Sequence, residues 1–344
     1  MSPTTMAILI SSLAAGTIIT ASSHHWLMAW VGLEMNTLAI IPMISKQHHP
    51  RATEAATKYF LTQAAASATI LFSSTTNAWQ TGTWDIINMT NPTANMLLTV
   101  ALAMKLGLAP MHFWLPEVLQ GSTIKTALII TTWQKLAPMA LIFMTSNTLP
   151  TTALLTMAMI STLLGGWAGL NQTQTRKIMA YSSIAHLGWM AAITTIMPNI
   201  LTLNLMLYLL MTTSMFYMLI LLNSKNIKDM ATSPTTSPTT TTLAMLTLLS
   251  LGGLPPLTGF MPKWLIIEEL TTQNFTTTAT ILALSALLSL FFYLRLSYSS
   301  TITLSPNTTT TKHKWRFKPT INTTLLTTTL STSLLMLPIT PMIC

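Results

Sequence analysis

Four charged side chains lie deep inside long apolar stretches of this sequence: Glu34, Lys105, Lys135 and Lys263. A charge at the centre of a lipid bilayer costs roughly 2.5–3.5 kcal/mol on insertion scales, and residues that carry one usually serve an ion path or a proton relay. Burial lowers the pKa of a lysine, and a neighbouring carboxylate raises it. A lysine whose surroundings balance these two effects can therefore load and release a proton. These residues are therefore candidates for proton transfer, with a fixed structural ion pair as the alternative.

Lys105 and Lys135 each lie close to residues that interrupt helices. Lys105 lies about ten residues into its apolar stretch and shortly before Gly107 and Pro110. Lys135 lies in the middle of another stretch and is followed by Pro138. A broken helix frees backbone carbonyl groups and admits water, so a lysine beside such a break can exchange protons.

The remaining two charges each leave two interpretations open. Glu34 needs a partner inside the membrane, and we expect Lys105, the nearest lysine in the order of the apolar stretches. Lys135 or a neighbouring subunit is the alternative partner. Lys263 follows a second predicted break, and the interpretation is a proton site on the exit side of the path. The alternative is an outer-surface lysine paired with Glu268.

Two histidines, His112 and His186, also lie in apolar stretches. A histidine titrates near neutral pH and suits a proton relay, but a hydrogen bond between helices is an equally good explanation. Two histidine doublets, at 24–25 and 48–49, lie at the ends of apolar stretches. They lack the helical spacing and the nearby thiolates of metal sites. We expect no metal site and no bound cofactor on this chain.

The elements that position these residues are membrane-spanning helices. Half of the residues are hydrophobic, 7% are charged, and the mean hydropathy is +0.55. A soluble protein of this length would carry about a quarter charged residues, so this is an all-α, multi-pass membrane protein. The apolar segments predict about eleven transmembrane helices. Their limits are 3–21, 26–45, 59–79, 95–115, 123–145, 149–171, 178–196, 199–222, 241–267, 272–297 and 322–340.

The basic residues sort to one side of this arrangement. All of the 16 Lys and Arg residues, apart from the three deep in apolar stretches, fall in the even-numbered connections or within three residues of them. By the positive-inside rule, these connections and the N-terminus face the inner compartment, and the C-terminus faces out. The net charge of +9 is dispersed between spans, which indicates contact with anionic lipid and excludes nucleic acid as a partner.

Two segments of the sequence are similar to each other. Residues 107–116 align without gaps with residues 253–262, and both segments are rich in Gly and Pro. They lie in the fourth and ninth predicted helices, which run in opposite directions, as in an inverted-topology repeat. Chance similarity of two helix ends is the alternative. The predicted layout is a first five-helix repeat at 1–145, an inverted second repeat at 146–297, and a basic loop with one C-terminal helix at 298–344.

Three motifs carry a family resemblance: residues 105–117, 176–188 and 252–260. They resemble the antiporter-like membrane subunits of respiratory complex I, which are relatives of Mrp-type sodium/proton antiporters. The similarity runs from end to end, and the chain resembles a shortened form that lacks the first three helices of its longer relatives. The resemblance implies a two-repeat module that takes part in proton translocation.

The resemblance also implies roles for the candidate residues. Glu34 and Lys105 match a switching pair on neighbouring helices, Lys135 matches a central lysine, and Lys263 matches a distal lysine. His112 and His186 match positions on a hydrated central axis.

The implied location is the mitochondrial inner membrane, with the N-terminus in the matrix and the C-terminus in the intermembrane space. The implied partners are other membrane-arm subunits, including antiporter-like and accessory subunits, together with lipids such as cardiolipin. The resemblance implies a subunit of an NADH:ubiquinone reductase, with NAD, FMN, Fe–S clusters and ubiquinone on other subunits and no redox site on this chain. Two other functions stay open: an independent cation/proton antiporter, and a structural membrane subunit whose buried charges only set helix registry.

Overall fold

The computed structural model describes residues 2–47, 49–235, 237–301 and 323–338. Over these ranges the secondary structure is helical, apart from two isolated antiparallel bridges. The helices are α1 (Pro3–Ser22), α2 (Trp26–Ile44), α3 (Pro50–Thr81), α4 (Pro92–Leu106), α5 (Trp114–Gly121), α6 (Ile124–Thr131), α7 (Trp133–Thr145), α8 (Thr151–Gly169), α9 (Thr175–Ile193), α10 (Pro198–Leu222), α11 (Ile227–Thr232), α12 (Pro238–Gly252), α13 (Phe260–Thr272), α14 (Thr276–Thr301) and α15 (Thr324–Leu335).

The all-helical fold is confirmed, and each predicted apolar segment overlaps at least one described helix. Three of the predicted spans, 95–115, 123–145 and 241–267, are each interrupted between two helices. Among the described residues, six helical segments are long and apolar enough to cross a membrane, with α6 and α7 taken as one segment. The count of eleven spans and the repeat layout stay predictions. The basic segment 302–322, Cys344 and both ends of the last predicted span lie outside the described residues.

Many polar side chains in these helices bond to the helix backbone. Thr37 donates its hydroxyl to the Glu34 carbonyl oxygen at 2.9 Å, so the hydroxyl needs no solvent. The same pattern recurs along most of the helices. At the start of α4, the Asn91 side chain accepts from the Thr93 backbone N–H at 3.0 Å, and Pro92 occupies the first helical position. A proline there loses no helical hydrogen bond.

The chain divides into two compact units. The first unit is Met1–Thr162 with Leu187–Pro198, and the second is Leu163–His186 with Asn199–Cys344. Small residues allow close helix contacts inside each unit. A Cβ at Gly16 would lie 2.8 Å from the Gly32 carbonyl oxygen, where α1 meets α2. Such close backbone approach is common between membrane helices, which gain stability from packing.

Three of the described helices end at a glycine in the left-handed region, and one of them is α3, with Gly82 at φ 72°. The other two end at the predicted breaks. α4 is followed by Gly107 with φ 82°, and α12 is followed by Gly253 with φ 79°. Each glycine N–H donates to carbonyls of the preceding turn, and glycine adopts this conformation without a steric penalty. The chain resumes as a helix at Trp114 and at Phe260. The two breaks that the sequence predicts are therefore present.

Candidate functional site

A small cavity with both polar and apolar residues in its lining lies inside the first unit, between α2, α3, α4, α5, α6 and α7. The volume of the cavity is about 10 Å³. This is close to the space that one water molecule needs. Lys105 and Lys135 both line the cavity, so two of the predicted site residues meet at one place. The other polar side chains that line it are Asn36, Thr37, Tyr59, Gln63 and Gln134.

Lys105 lies in the last turn of α4 and is 6% exposed. Its Nζ is buried and makes no hydrogen bond with the part of the chain that the structure describes. The carbonyl oxygen of the same residue accepts from the Gln63 side-chain amide at 3.5 Å. Gly107 ends the helix two residues later. The break thus places the ammonium group at the cavity, where it has no direct hydrogen-bond partner among the described residues.

Glu34 lies on α2 and is partly buried. Its Oε2 atom is buried, and it makes no hydrogen bond among the described residues. The carboxylate is near enough to act electrostatically on both Lys105 and Tyr59. Neither Glu34 nor Lys105 forms an ion pair within 4 Å among the described residues. Glu34 and Lys105 are therefore neighbours without a direct salt bridge, and the switching role stays a prediction.

Lys135 lies in the first turn of α7 and is 2% exposed. The residue before it, Gln134, donates its side-chain Nε2–H to the Asn36 carbonyl oxygen at 3.1 Å. The Oε1 atom of Gln134 accepts from the Tyr59 hydroxyl at 3.4 Å. Lys135 is thus held at the cavity by the hydrogen bonds of its neighbour in sequence.

The first break also contains His112. Its side chain is 4% exposed and packs on Phe113, with ring centroids 4.4 Å apart. Nδ1 of His112 is buried without a hydrogen bond among the described residues. The histidine does not belong to the set that lines the cavity. Its role in a relay stays a prediction.

The second unit contains the other two candidates. Lys263 lies on α13, and its Nζ donates to the Gly252 carbonyl oxygen at 2.8 Å and to the Leu251 carbonyl oxygen at 3.5 Å. Its ammonium therefore binds the end of α12 at the second break. His186 lies on α9 and packs near Tyr208, with ring centroids 5.6 Å apart.

The sequence reasoning missed the uncharged members of the site. Tyr59 and Gln63 lie four residues apart on α3 and so share one helix face, and both face the cavity. Gln134 adjoins Lys135 in sequence. Polar residues on one face of an otherwise apolar helix were the available signal, but the abundant Thr and Ser of α3 hid it.

An ion-pair cluster lies at the start of α3, before the predicted span at 59–79. Lys58 Nζ lies 2.5 Å from Glu54 Oε1 and 2.7 Å from Glu117 Oε2 on α5. The hydrogen bonds to Glu117 and then to Glu54 raise the pKa of Lys58 to about 12. The hydrogen bond and charge of Lys58 lower the pKa of Glu54. This cluster ties α5, which follows the first break, to α3.

Two family models together match residues 23–344. The model described as NADH:quinone oxidoreductase/Mrp antiporter, TM matches 23–289, and the one described as NADH dehydrogenase subunit 2 C-terminus matches 290–344. Relatives named NADH-ubiquinone oxidoreductase chain 2 are 57% identical in Xenopus laevis and 60% identical in Varanus timorensis, each over 99% of this chain and 99% of the relative. The chain belongs to the NADH-ubiquinone oxidoreductase chain 2 family. The family resemblance is thereby confirmed.

Solved structures agree with this family. A chain of respiratory complex I from Thermus thermophilus is 27% identical and superposes with a TM-score of 0.84, over 97% of this chain and 79% of that one. A chain of the Mrp complex from Dietzia sp. DQ12-45-1b is 16% identical, with a TM-score of 0.80 over 87% of this chain and 61% of that one. The second likeness is one of fold alone. Neither comparison assigns a role to a residue of this chain.

Within the described ranges, no three His, Cys, Asp or Glu side chains group in a way that could hold a metal ion. The ionisable groups at this cavity are the ammonium groups of Lys105 and Lys135, with the Glu34 carboxylate near Lys105. Groups of these types can exchange protons when their surroundings balance the charged and neutral forms.

Proposed function

We propose that this chain is a core membrane-arm subunit of respiratory complex I and takes part in proton translocation across the mitochondrial inner membrane. Relatives at 57–60% identity carry the name NADH-ubiquinone oxidoreductase chain 2. The observation that carries the proposal within this chain is the cavity that Lys105 and Lys135 share. Glu34 lies near enough to influence Lys105. Proton carriers that meet at one cavity are what a relay requires.

In the proposed relay, the Glu34 carboxylate stabilises the protonated form of Lys105. When the Glu34 charge is neutralised or moves away, the desolvated ammonium loses that support and releases its proton. Lys135, at the same cavity, accepts charge and passes it on. The proton moves without oxidation or reduction of any side chain. Lys263, His112 and His186 are the further proposed members.

The proposed membrane topology has about eleven spans, with two inverted five-helix repeats at 1–145 and 146–297 and a C-terminal helix in 298–344. The N-terminus then faces the matrix, and the C-terminus faces the intermembrane space. The basic connections would contact anionic lipids such as cardiolipin. NAD, FMN, Fe–S clusters and ubiquinone would reside on other subunits, whose quinone reduction drives the Glu34–Lys105 switch.

A native gel of membranes solubilised in mild detergent tests the assembly. We expect this chain to migrate in a very large band that also stains for NADH dehydrogenase activity. Migration as a small inactive species, with cation/proton exchange by the isolated chain in vesicles, would instead favour an independent antiporter.

Substitution of Lys135 tests the proton path. Positioned proton-transfer groups contribute roughly 10²–10⁴-fold to rate, so we expect Lys135→Met to lower the rate of coupled proton translocation by about 100-fold. The assembled complex should remain, because methionine fills a similar volume. Lys125→Met is the matched control, since Lys125 is exposed at the start of α6. Equal loss of assembly and pumping would favour a purely structural subunit.

A further inference from the structure

The side chain of Gln134 uses both ends of its amide. Its Nε2–H donates to the Asn36 carbonyl oxygen of α2 at 3.1 Å, and its Oε1 accepts from the Tyr59 hydroxyl of α3 at 3.4 Å. A side-chain amide supplies both a donor and an acceptor for these two partners without carrying a charge. Since Lys135 is the next residue, these two hydrogen bonds hold the backbone of the lysine in position relative to α2 and α3.

The start of α7 has a second anchor in the neighbouring residue. The helix begins at Trp133, directly after Thr132, which separates it from α6. The Trp133 indole N–H donates to the Leu13 carbonyl oxygen of α1 at 3.4 Å. Two consecutive side chains thus bind backbone carbonyls of α1 and α2. A helix that starts inside the bundle needs such anchors to hold its register.

Tyr59 lies between Gln134 and the region of Glu34. It is 1% exposed, and its ring packs edge-on against Trp114 with centroids 5.8 Å apart. Glu34 acts electrostatically on the Tyr59 hydroxyl, and the same hydroxyl donates to Gln134. The backbone carbonyl that Gln134 binds belongs to Asn36, two residues after Glu34 on α2.

We infer that Tyr59 and Gln134 are positioning residues that couple Glu34 to Lys135. The inference rests on the proposed function, in which this chain carries protons. Gln134 neither gives nor takes a proton, so it acts through its hydrogen bonds. A change of charge or position at Glu34 reaches Lys135 by two routes. One is the Tyr59 hydroxyl, and the other is the α2 backbone that Gln134 binds.

Three variants of the intact complex in sealed vesicles test this coupling. Tyr59→Phe removes one hydroxyl and keeps the ring, and Gln134→Met removes both hydrogen bonds at similar volume. One net hydrogen bond corresponds to about a fivefold effect, so we expect coupled proton translocation to fall about fivefold in Tyr59→Phe and further in Gln134→Met. Gln134→Glu, which adds a charge beside Lys135, should fall by about tenfold or more. The exposed positions Tyr298→Phe and Gln80→Glu are the matched controls.

Two readouts separate positioning from packing. Tyr59→Phe combined with Gln134→Met should equal Gln134→Met alone, because both variants remove the same bond. Coupled proton translocation by Gln134→Glu should recover as pH falls, because the protonated carboxyl regains a donor for the Asn36 carbonyl. Gln134→Met should show no such recovery relative to the native complex. The titratable groups that surround this position are Glu34 on α2, Tyr59 on α3, Lys105 on α4 and Lys135 on α7.

Lys135→Met in the same vesicles distinguishes a failure of the proposed function from a failure of the positioning role. If Lys135→Met leaves proton translocation unchanged, the proposed function is wrong. If Lys135→Met abolishes it while the Tyr59 and Gln134 variants pump as the native complex does, only the positioning role is wrong. Multiplying losses in the double variant, with no recovery of Gln134→Glu at low pH, would also overturn the coupling. Should the Gln134 variants fail to assemble, Tyr59→Phe alone decides, through the protons moved per NADH in the assembled complex.

Discussion

The two helix breaks have the same backbone conformation, but the lysine lies before the first break and after the second. Gly107 and Gly253 have φ values of 82° and 79°, and each N–H bonds to the preceding turn. When the aligned segments are extended in both directions, Lys105 before the first break corresponds to Leu251, and Lys263 after the second corresponds to Glu117. One break therefore has its lysine on the helix that ends, and the other on the helix that begins.

The two breaks also differ in the groups that donate hydrogen bonds to the last carbonyls of the helix that ends there. At the first break, Trp114 donates to the Met104 carbonyl oxygen at 3.0 Å, and Gln63 donates to that of Lys105 at 3.5 Å. These bonds leave the Lys105 ammonium without a hydrogen bond among the described residues. At the second break, the ammonium of Lys263 itself binds the helix end. The Lys105 ammonium thus has no direct hydrogen bond among the described residues, whereas the Lys263 ammonium caps a helix, so the same backbone conformation supports two arrangements of a buried cation.

The largest expected effect separates the two breaks at one aligned position. Phe113 is 71% exposed, whereas its counterpart Gly259 lies so close to α12 that a Cβ would be 1.7 Å from the Ser250 carbonyl oxygen. Backbone atoms cannot yield to such an overlap. We expect Gly259→Ala to cost on the order of 4 kcal/mol or more, with loss of the assembled complex on a native gel.

Phe113→Ala is the matched change in the first break. Because this side chain is exposed, its removal should leave the amount of assembled complex near the native level. A native amount of complex in Gly259→Ala would mean that the second break is looser than this comparison requires.

A middle-sized effect tests the glycines themselves. Alanine in the left-handed region costs roughly 1–2 kcal/mol, so Gly107→Ala and Gly253→Ala should both lower the thermal midpoint of the complex. A Cβ at Gly253 would also lie 2.8 Å from Lys263 Nζ, whereas at Gly107 it would lie 3.1 Å from the flexible Leu115 Cδ1. The Gly253 variant should therefore be the less stable, because it displaces Lys263 from its carbonyls. Equal midpoints would contradict the capping role of Lys263.

The sequence was sufficient to locate the breaks and the buried lysines. Gly and Pro at matching spacings interrupt an apolar pattern that is otherwise continuous, and a lysine in such a pattern needs no structure to be noticed. The sequence could not reveal the two hydrogen bonds of the Gln134 side chain, because Asn36 and Tyr59 are distant in the chain and reach it only through helix packing. Nor could it reveal that Lys263 caps α12, since that contact depends on how α13 folds back onto the break.

The smallest expected effect concerns Glu117, the counterpart of Lys263. Its partner Lys58 is exposed, with side-chain exposures of 42% for Lys58 and 50% for Glu117. Exposed ion pairs contribute little, so Lys58→Met should lower the thermal midpoint of the complex by roughly 2 °C or less. Lys46→Met, at an exposed lysine, is the control.

The pH dependence of this cluster has a defined sign. Glu54 has a lowered pKa, so its contribution is present above its ordinary value of 4.5 and is lost as pH falls through the lowered value. Lys58 has a pKa raised to about 12, so its contribution is present below 10.5 and is lost as pH rises through about 12. Lys58→Met should therefore differ from the native complex near neutral pH and converge with it in acid. A difference that persists in acid would show that Lys58 acts through packing of its aliphatic stem, and the cluster would then be an apolar contact between α3 and α5.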